Sequence, residues 1–96
     1  MYAVIGRVQI KPGHEDETAA MIADNGVPML KGMQGCLAGY WSRNVDGADV
    51  IQHLYWLFDT EQNARIAEAT ALTLREMPDA PAVFISVDVT RVIGQM

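Results

Sequence analysis

Between Val50 and Phe58 the chain reads VIQHLYWLF, a strand-length run in which only Gln52 and His53 are strongly polar. Alternate residues of an extended chain point to opposite faces, so a run with this little alternation has to be covered on both sides. A sheet with one face left in water is thereby excluded. Any fold built on this strand needs two covering layers.

The rest of the chain supplies one of them. Tyr2–Ile10 reads as a strand, ended by Lys11, Pro12 and Gly13. A helix is expected from His14, with Glu15, Asp16 and Glu17 in its first turn, where carboxylates complement the free N–H groups. Asn25 and Gly26 have the composition of a helix end, and Val27-Pro28 restarts a short turn through Met33, so this helix is expected to be kinked or in two pieces. Strands over Cys36–Arg43 and Val50–Phe58 flank the turn-forming stretch 44–49 and predict a hairpin. Asp59 and Thr60 offer a cap for a second helix, whose Ala64, Ala67, Ala71 and Leu74 form one stripe and which Pro78 and Pro81 end. Ala82–Val92 is the last strand.

The order β-α-β-β-α-β is the ferredoxin-like α+β arrangement, a four-stranded antiparallel sheet with both helices on one face and the first strand between the third and fourth. The stronger apolar parity is expected toward the helices: Tyr2, Val4, Val8 and Ile10, then Leu54, Trp56 and Phe58, then Val83, Ile85, Val87 and Val89. The opposite face then holds Ile5, Ile51, Tyr55, Leu57 and Phe84, an apolar patch of interface size. Its simplest cover is the same face of a second copy, which predicts a two-fold homodimer approaching a barrel.

Three segments carry a family resemblance: the turn Lys11-Pro12-Gly13-His14-Glu15, the strand start Gln34-Gly35-Cys36-Leu37, and the third strand running into Phe58-Asp59-Thr60-Glu61-Gln62-Asn63-Ala64. Together they resemble the antibiotic biosynthesis monooxygenase family of dimeric α+β barrels. The resemblance covers almost the whole 96-residue chain as a single domain. It implies oxidation of a small aromatic, polyphenol or quinol by molecular oxygen without cofactor. The family's usual Trp is replaced here by Phe58, and the second helix has Glu68 near the place where relatives often carry His. Haem-degrading relatives also use an Asn on the first strand, where Gly6 falls here, so haem degradation is not expected.

Such chemistry needs an apolar pocket for a flat ring and a polar group that stabilises a phenolate. Trp56, Phe58 and Tyr2 point between sheet and helices by parity, joined by Tyr40 or Trp41 according to the phase of the second strand. The same rings are equally the material of a small core. His53, the best proton acceptor in the chain, shares the other face with Arg7, Tyr55, Ser86 and Asp88. That group is either a polar site inside the barrel or an interface network in which Arg7 pairs Asp88. His14 reads as a surface residue and Cys36 as a small buried hydrophobe. The alternative class of function is a non-catalytic small-ligand binder or a dimer with a purely structural role.

Composition narrows the partners. Seven Lys and Arg against twelve Asp and Glu, with the basic residues scattered, argue against nucleic acid. No apolar run nears the ~18 residues a membrane helix needs. A single Cys forbids an internal disulfide, no zinc framework or nucleotide loop is present, and neither metal nor cofactor is expected. The N-terminal residues have no basic leader, and a cytoplasmic location is expected.

Overall fold

The computed structural model describes residues 1–75 and 80–96. Its elements are β1 (Tyr2–Ile10), α1 (Glu15–Met21), a π-helical turn (Ile22–Gly26), α2 (Val27–Lys31), β2 (Cys36–Asp46), β3 (Asp49–Phe58), α3 (Glu61–Arg75) and β4 (Ala82–Arg91). The four strands form one antiparallel sheet in the order β2-β3-β1-β4, the expected ferredoxin-like topology with β1 inside. Among the described residues no helix is long and apolar enough to cross a membrane. Pro78, expected to end the second long helix, lies outside the described residues.

Sequence alternation misassigns β4. β1 pairs with it in register from Tyr2 opposite Arg91 to Arg7 opposite Ser86, but Val8 then pairs with Phe84. Ile85 is the extra residue of a β-bulge, which turns the β4 side chains before it to the face opposite the one strict alternation gives. Val87 and Val89 pack against the core as expected, and so does Phe84, which the parity had placed opposite. Val83 and Ile85, expected toward the helices, are about half exposed. A second bulge, at Leu37, sets the phase of β2: Cys36 pairs with Phe58, Ala38 with Leu57, and Trp41 with Leu54.

The hairpin is tighter than its composition suggested. β2 runs on to Asp46, and β3 starts at Asp49, leaving Gly47 and Ala48 as the turn. The expected break at Asn25-Gly26 is not a cap. Gly26 is helical, with φ −63°, and the chain passes through the π turn directly into α2. Pro28 explains the wide turn, because a proline inside a regular helix removes a donor and crowds the carbonyl four residues back. Thr60 does cap α3, its Oγ1 accepting from the Asn63 N–H at 3.2 Å.

Packing follows side-chain size. Ala64, Ala67 and Ala71 are fully buried and let α3 sit close against Val4, Trp56 and Phe58. The α1–π–α2 segment presents Met21, Ile22 and Met29, longer side chains that hold it further off. Arg43 ties this segment to the sheet: Nη1 donates to the Glu15 carbonyl at 2.8 Å, Nη2 to Thr18 Oγ1 at 2.6 Å, and Nε to Gln52 Oε1 at 2.9 Å. Hydrogen bonds from a charged donor are among the stronger ones.

Gly35 joins two of the sequence segments singled out above. It has φ +75°, its carbonyl accepts from the Asp59 N–H at 3.0 Å, and a Cβ there would overlap Asp59 Oδ1 and Asn63 Nδ2. Those two atoms are themselves hydrogen-bonded at 2.9 Å. Gly13, at φ +84°, has open space around it. Gly13→Ala is therefore expected to cost about 1–2 kcal/mol, the backbone strain alone. Gly35→Ala is expected to cost clearly more, because overpacking adds about 1–3 kcal/mol. Urea denaturation of the two variants checks the order. Arg43→Met is expected to cost about 2 kcal/mol and to speed amide exchange in α1 before the rest of the sheet, as read by hydrogen-exchange NMR.

Candidate functional site

A cavity of about 310 Å³ lies where the α1–π–α2 segment stands off the sheet. Its floor is the helix-facing side of the strands: Val8 and Ile10 from β1, Gln52, Leu54 and Trp56 from β3, Trp41 from β2, and Phe84 from β4. Its roof comes from Met21, Ile22, Asn25, Gly26 and Met29, and Leu74 with Ala80–Ala82 closes one end. The π turn thus forms part of the roof, the kind of local irregularity that recurs at functional sites. Trp41 and Trp56 meet edge to face, with ring centroids 5.9 Å apart and planes at 63°.

Among the described residues the lining is electrically neutral, since none of its side chains titrates. The lining residues whose side chains carry polar atoms are Thr18, Asn25, Trp41, Gln52 and Trp56. Thr18 is buried and occupied, accepting from Arg43 and facing the His14 carbonyl at 2.8 Å. Gln52 gives its amide oxygen to Arg43. Trp56 Nε1 is buried with no hydrogen-bond partner among the described residues.

The residues singled out from the sequence fall in three places. Trp56 and Trp41 line the cavity. Phe58, fully buried, and Tyr2, partly buried, belong to the core beside it and do not reach its wall. His53, Tyr55 and Tyr40 lie on the opposite face of the sheet, where Tyr40 pairs with Tyr55. Of the two residues left open by the phase of β2, Tyr40 is thus the one turned away from the helices. His53 Nε2 lies 2.6 Å from Asn44 Oδ1, and its strand neighbours are Arg7 and Ser42. Arg7 sits between His53 and Ser86 as expected, but it forms no ion pair with Asp88, which lies opposite Ile5.

Gln52, Arg43 and Phe84 are the residues that sequence reasoning passed over. Gln52 had a readable signal, being the one polar residue on the helix-facing parity of an apolar strand. Phe84 had none, because its orientation follows from the bulge. Cys36 is partly buried, and burial pushes its thiol up from the ordinary range, which keeps it protonated near neutral pH. His14 is on the surface, against Glu17 at 2.6 Å. Among the described residues no three His, Cys, Asp or Glu side chains converge on a common point. Neither histidine reaches the cavity, so its wall has no imidazole to hold a haem iron.

No curated protein sequence matches the chain. Among solved structures, a mutant of MhuD with two manganese protoporphyrin IX bound per active site superposes with TM-score 0.68, at 14% identity over 100% of this chain and 98% of that one. MupZ from Pseudomonas fluorescens gives 0.65 at 16% identity over 92% of this chain, which spans 65% of MupZ. A monooxygenase from the gene ActVA-Orf6 of Streptomyces coelicolor, in complex with the ligand Nanaomycin D, gives 0.61 at 16% identity over 99% of this chain and 91% of that one. At these identities the likeness is one of fold. The sequence profile of the antibiotic biosynthesis monooxygenase family matches residues 1–62, well over half of the chain and through β3 into the start of α3. With the Gly35–Asp59–Asn63 junction and the sheet order in agreement, the chain belongs to the antibiotic biosynthesis monooxygenase family.

Proposed function

We propose that the chain is a cofactor-independent monooxygenase acting on a small polyphenol or quinol held in the cavity between sheet and helices. The observation that carries the reading is the cavity itself: apolar, uncharged along its described lining, walled by two indole rings, and large enough for a fused aromatic ring system. The Streptomyces coelicolor monooxygenase of the same fold supports it. The reaction balances without a further reductant. A phenol or quinol with a free ortho or para ring carbon gains one oxygen atom there from O2 and loses two hydrogens, which leave with the second oxygen atom as water. The ring supplies all four electrons.

No described side chain of the lining titrates, so the substrate's proton passes to solvent rather than to an enzymic base. His53 is not used, since it faces the other side of the sheet. The protein's part is to exclude bulk water, orient the ring and leave one edge open to oxygen. Oxygen uptake by purified protein with a panel of hydroquinones and anthrones tests this. At least one compound is expected to be oxidised faster than in buffer, with one O2 consumed per ring. Its rate against pH should follow the compound's own phenol ionisation and keep that midpoint in His53→Gln. Trp56→Ala should lower the rate at least about tenfold while removing about 3–5 kcal/mol of stability. Uptake no faster than buffer across the panel would leave a non-catalytic ligand binder.

The proposal includes a homodimer formed through the open face of the sheet. Ile5, Tyr55 and Leu57 lie there, and the bulge adds Val83 and Ile85 to them. A second copy of this face is self-complementary under two-fold symmetry. Sedimentation at micromolar concentration is expected to give a dimer, and Ile5→Asp to dissociate or unfold it by burying an unpaired charge. A folded monomer of the unaltered chain would sink this part of the reading.

A further inference from the structure

Two hollows of the molecule meet at one side chain. Besides the cavity there is a groove of about 340 Å³, lined by Val27, Leu30 and Lys31 of α2 and by residues 36–39 of β2. Trp41 is the one residue, among those described, that lines both. From Trp41 the cavity runs inward over Leu54 and Trp56 of β3 and Val8 of β1 to Phe84 of β4. The groove lies on the other side, along the first half of β2, the outer strand of the sheet.

Two glycines let the indole of Trp41 span the gap between sheet and roof. Gly39 stands two residues before Trp41 and shares its face of the strand. A Cβ on Gly39 would lie 3.7 Å from Trp41 Cζ3 and would overlap the Leu30 side chain, which is seated there. In the roof, a Cβ on Gly26 would lie 3.6 Å from Trp41 Cζ2, at ordinary van der Waals contact. The six-membered ring is thus held between the strand and the π turn, and on its inner side it meets Trp56 edge to face. A ring packed this closely is a fixed wall, because neighbours in contact leave it little room to turn.

We propose that Trp41 sets the length of ring system that the cavity admits. Its indole closes the cavity toward α2 and turns away molecules that extend past it, while a smaller side chain there would join cavity and groove into one slot. This rests on the reading of the cavity as the ligand site. It goes further in naming the residue that bounds the site and the class it rejects, which is elongated polyaryl compounds as against compact ones. Rejection by a clash discriminates without any added contact to the accepted ligand.

The test compares 2-naphthol with 6-phenyl-2-naphthol, the same fused ring carrying one further ring at its far end, by isothermal titration calorimetry on the full chain. The unaltered protein is expected to bind 2-naphthol at least about tenfold more tightly. Trp41→Leu keeps an apolar contact for Trp56 and removes the wall, and should bring 6-phenyl-2-naphthol to equal or higher affinity. Trp41→Phe shortens the wall while keeping a ring against Trp56; it should narrow the preference, and it carries the test if Trp41→Leu does not fold. In 15N-labelled variants the amide signals of Lys31, Leu37 and Ala38 should move with 6-phenyl-2-naphthol and stay still with 2-naphthol, a readout that a loss of packing alone would not give. A preference unchanged in the variants, or groove signals that stay still when 6-phenyl-2-naphthol binds them, would overturn the wall while leaving the cavity as a binding site. So would equal affinity of the unaltered chain for the two compounds. Binding of neither compound to any of the three proteins would overturn the cavity reading as well.

Discussion

β1 is hydrogen-bonded along both edges, to β3 on one side and β4 on the other, and the rest of the molecule takes its orientation from that strand. A central strand has no freedom to slip, because a shift by one residue would exchange its faces. From Tyr2 to Ile10 its register against β3 is continuous, so Val4 and Val8 commit Trp56 and Gln52 to the helix side and Ile5 and Arg7 commit Tyr55 and His53 to the other. Against β4 the register breaks once, between Arg7 and Val8. That break sends Phe84 into the cavity floor and frees Val83 and Ile85 for the open face. One extra residue thereby shapes both the cavity and the proposed dimer surface.

The two covering elements differ in how closely they approach the sheet. α3 lies tight because its buried stripe is alanine. The α1–π–α2 segment is propped by methionine and isoleucine, pinned at one end by Arg43, and widened by the turn that accommodates Pro28. A cavity results where the loosely packed roof crosses the bulged floor. Methionine side chains adapt to varied shapes, so this roof can follow more than one outline.

The neutrality of that pocket decides what chemistry is open to it. With no base, no ligand cluster and no imidazole among the described residues of the wall, the proposed oxidation calls on the protein only to enclose and orient the ring, reactivity residing in the substrate and in oxygen. The histidine best suited to take a proton is instead bound to Asn44 on the opposite face. Arg43 contributes from outside the wall by fixing Gln52, so a cation excluded from the cavity still governs its polarity.

Element order, strand topology and the family were legible in the sequence. They rest on local signals: alternation in β1, the unbroken apolar run of β3, the alanine stripe of α3, and the Gly35 and Asp59–Asn63 segments, which turn out to be two halves of one packed junction. Both faces of β3 were likewise fixed locally, since that strand has no bulge against β1. The phase of β2 and the first half of β4 were not, because a bulge is one inserted residue with no composition of its own, and it appears only when two strands pair. The continuity of the first helix through Gly26 and the hydrogen bonds of Arg43 to Glu15, Thr18 and Gln52 are also tertiary outcomes. Each depends on which residue from a distant part of the chain arrives opposite, and local periodicity carries no information about that.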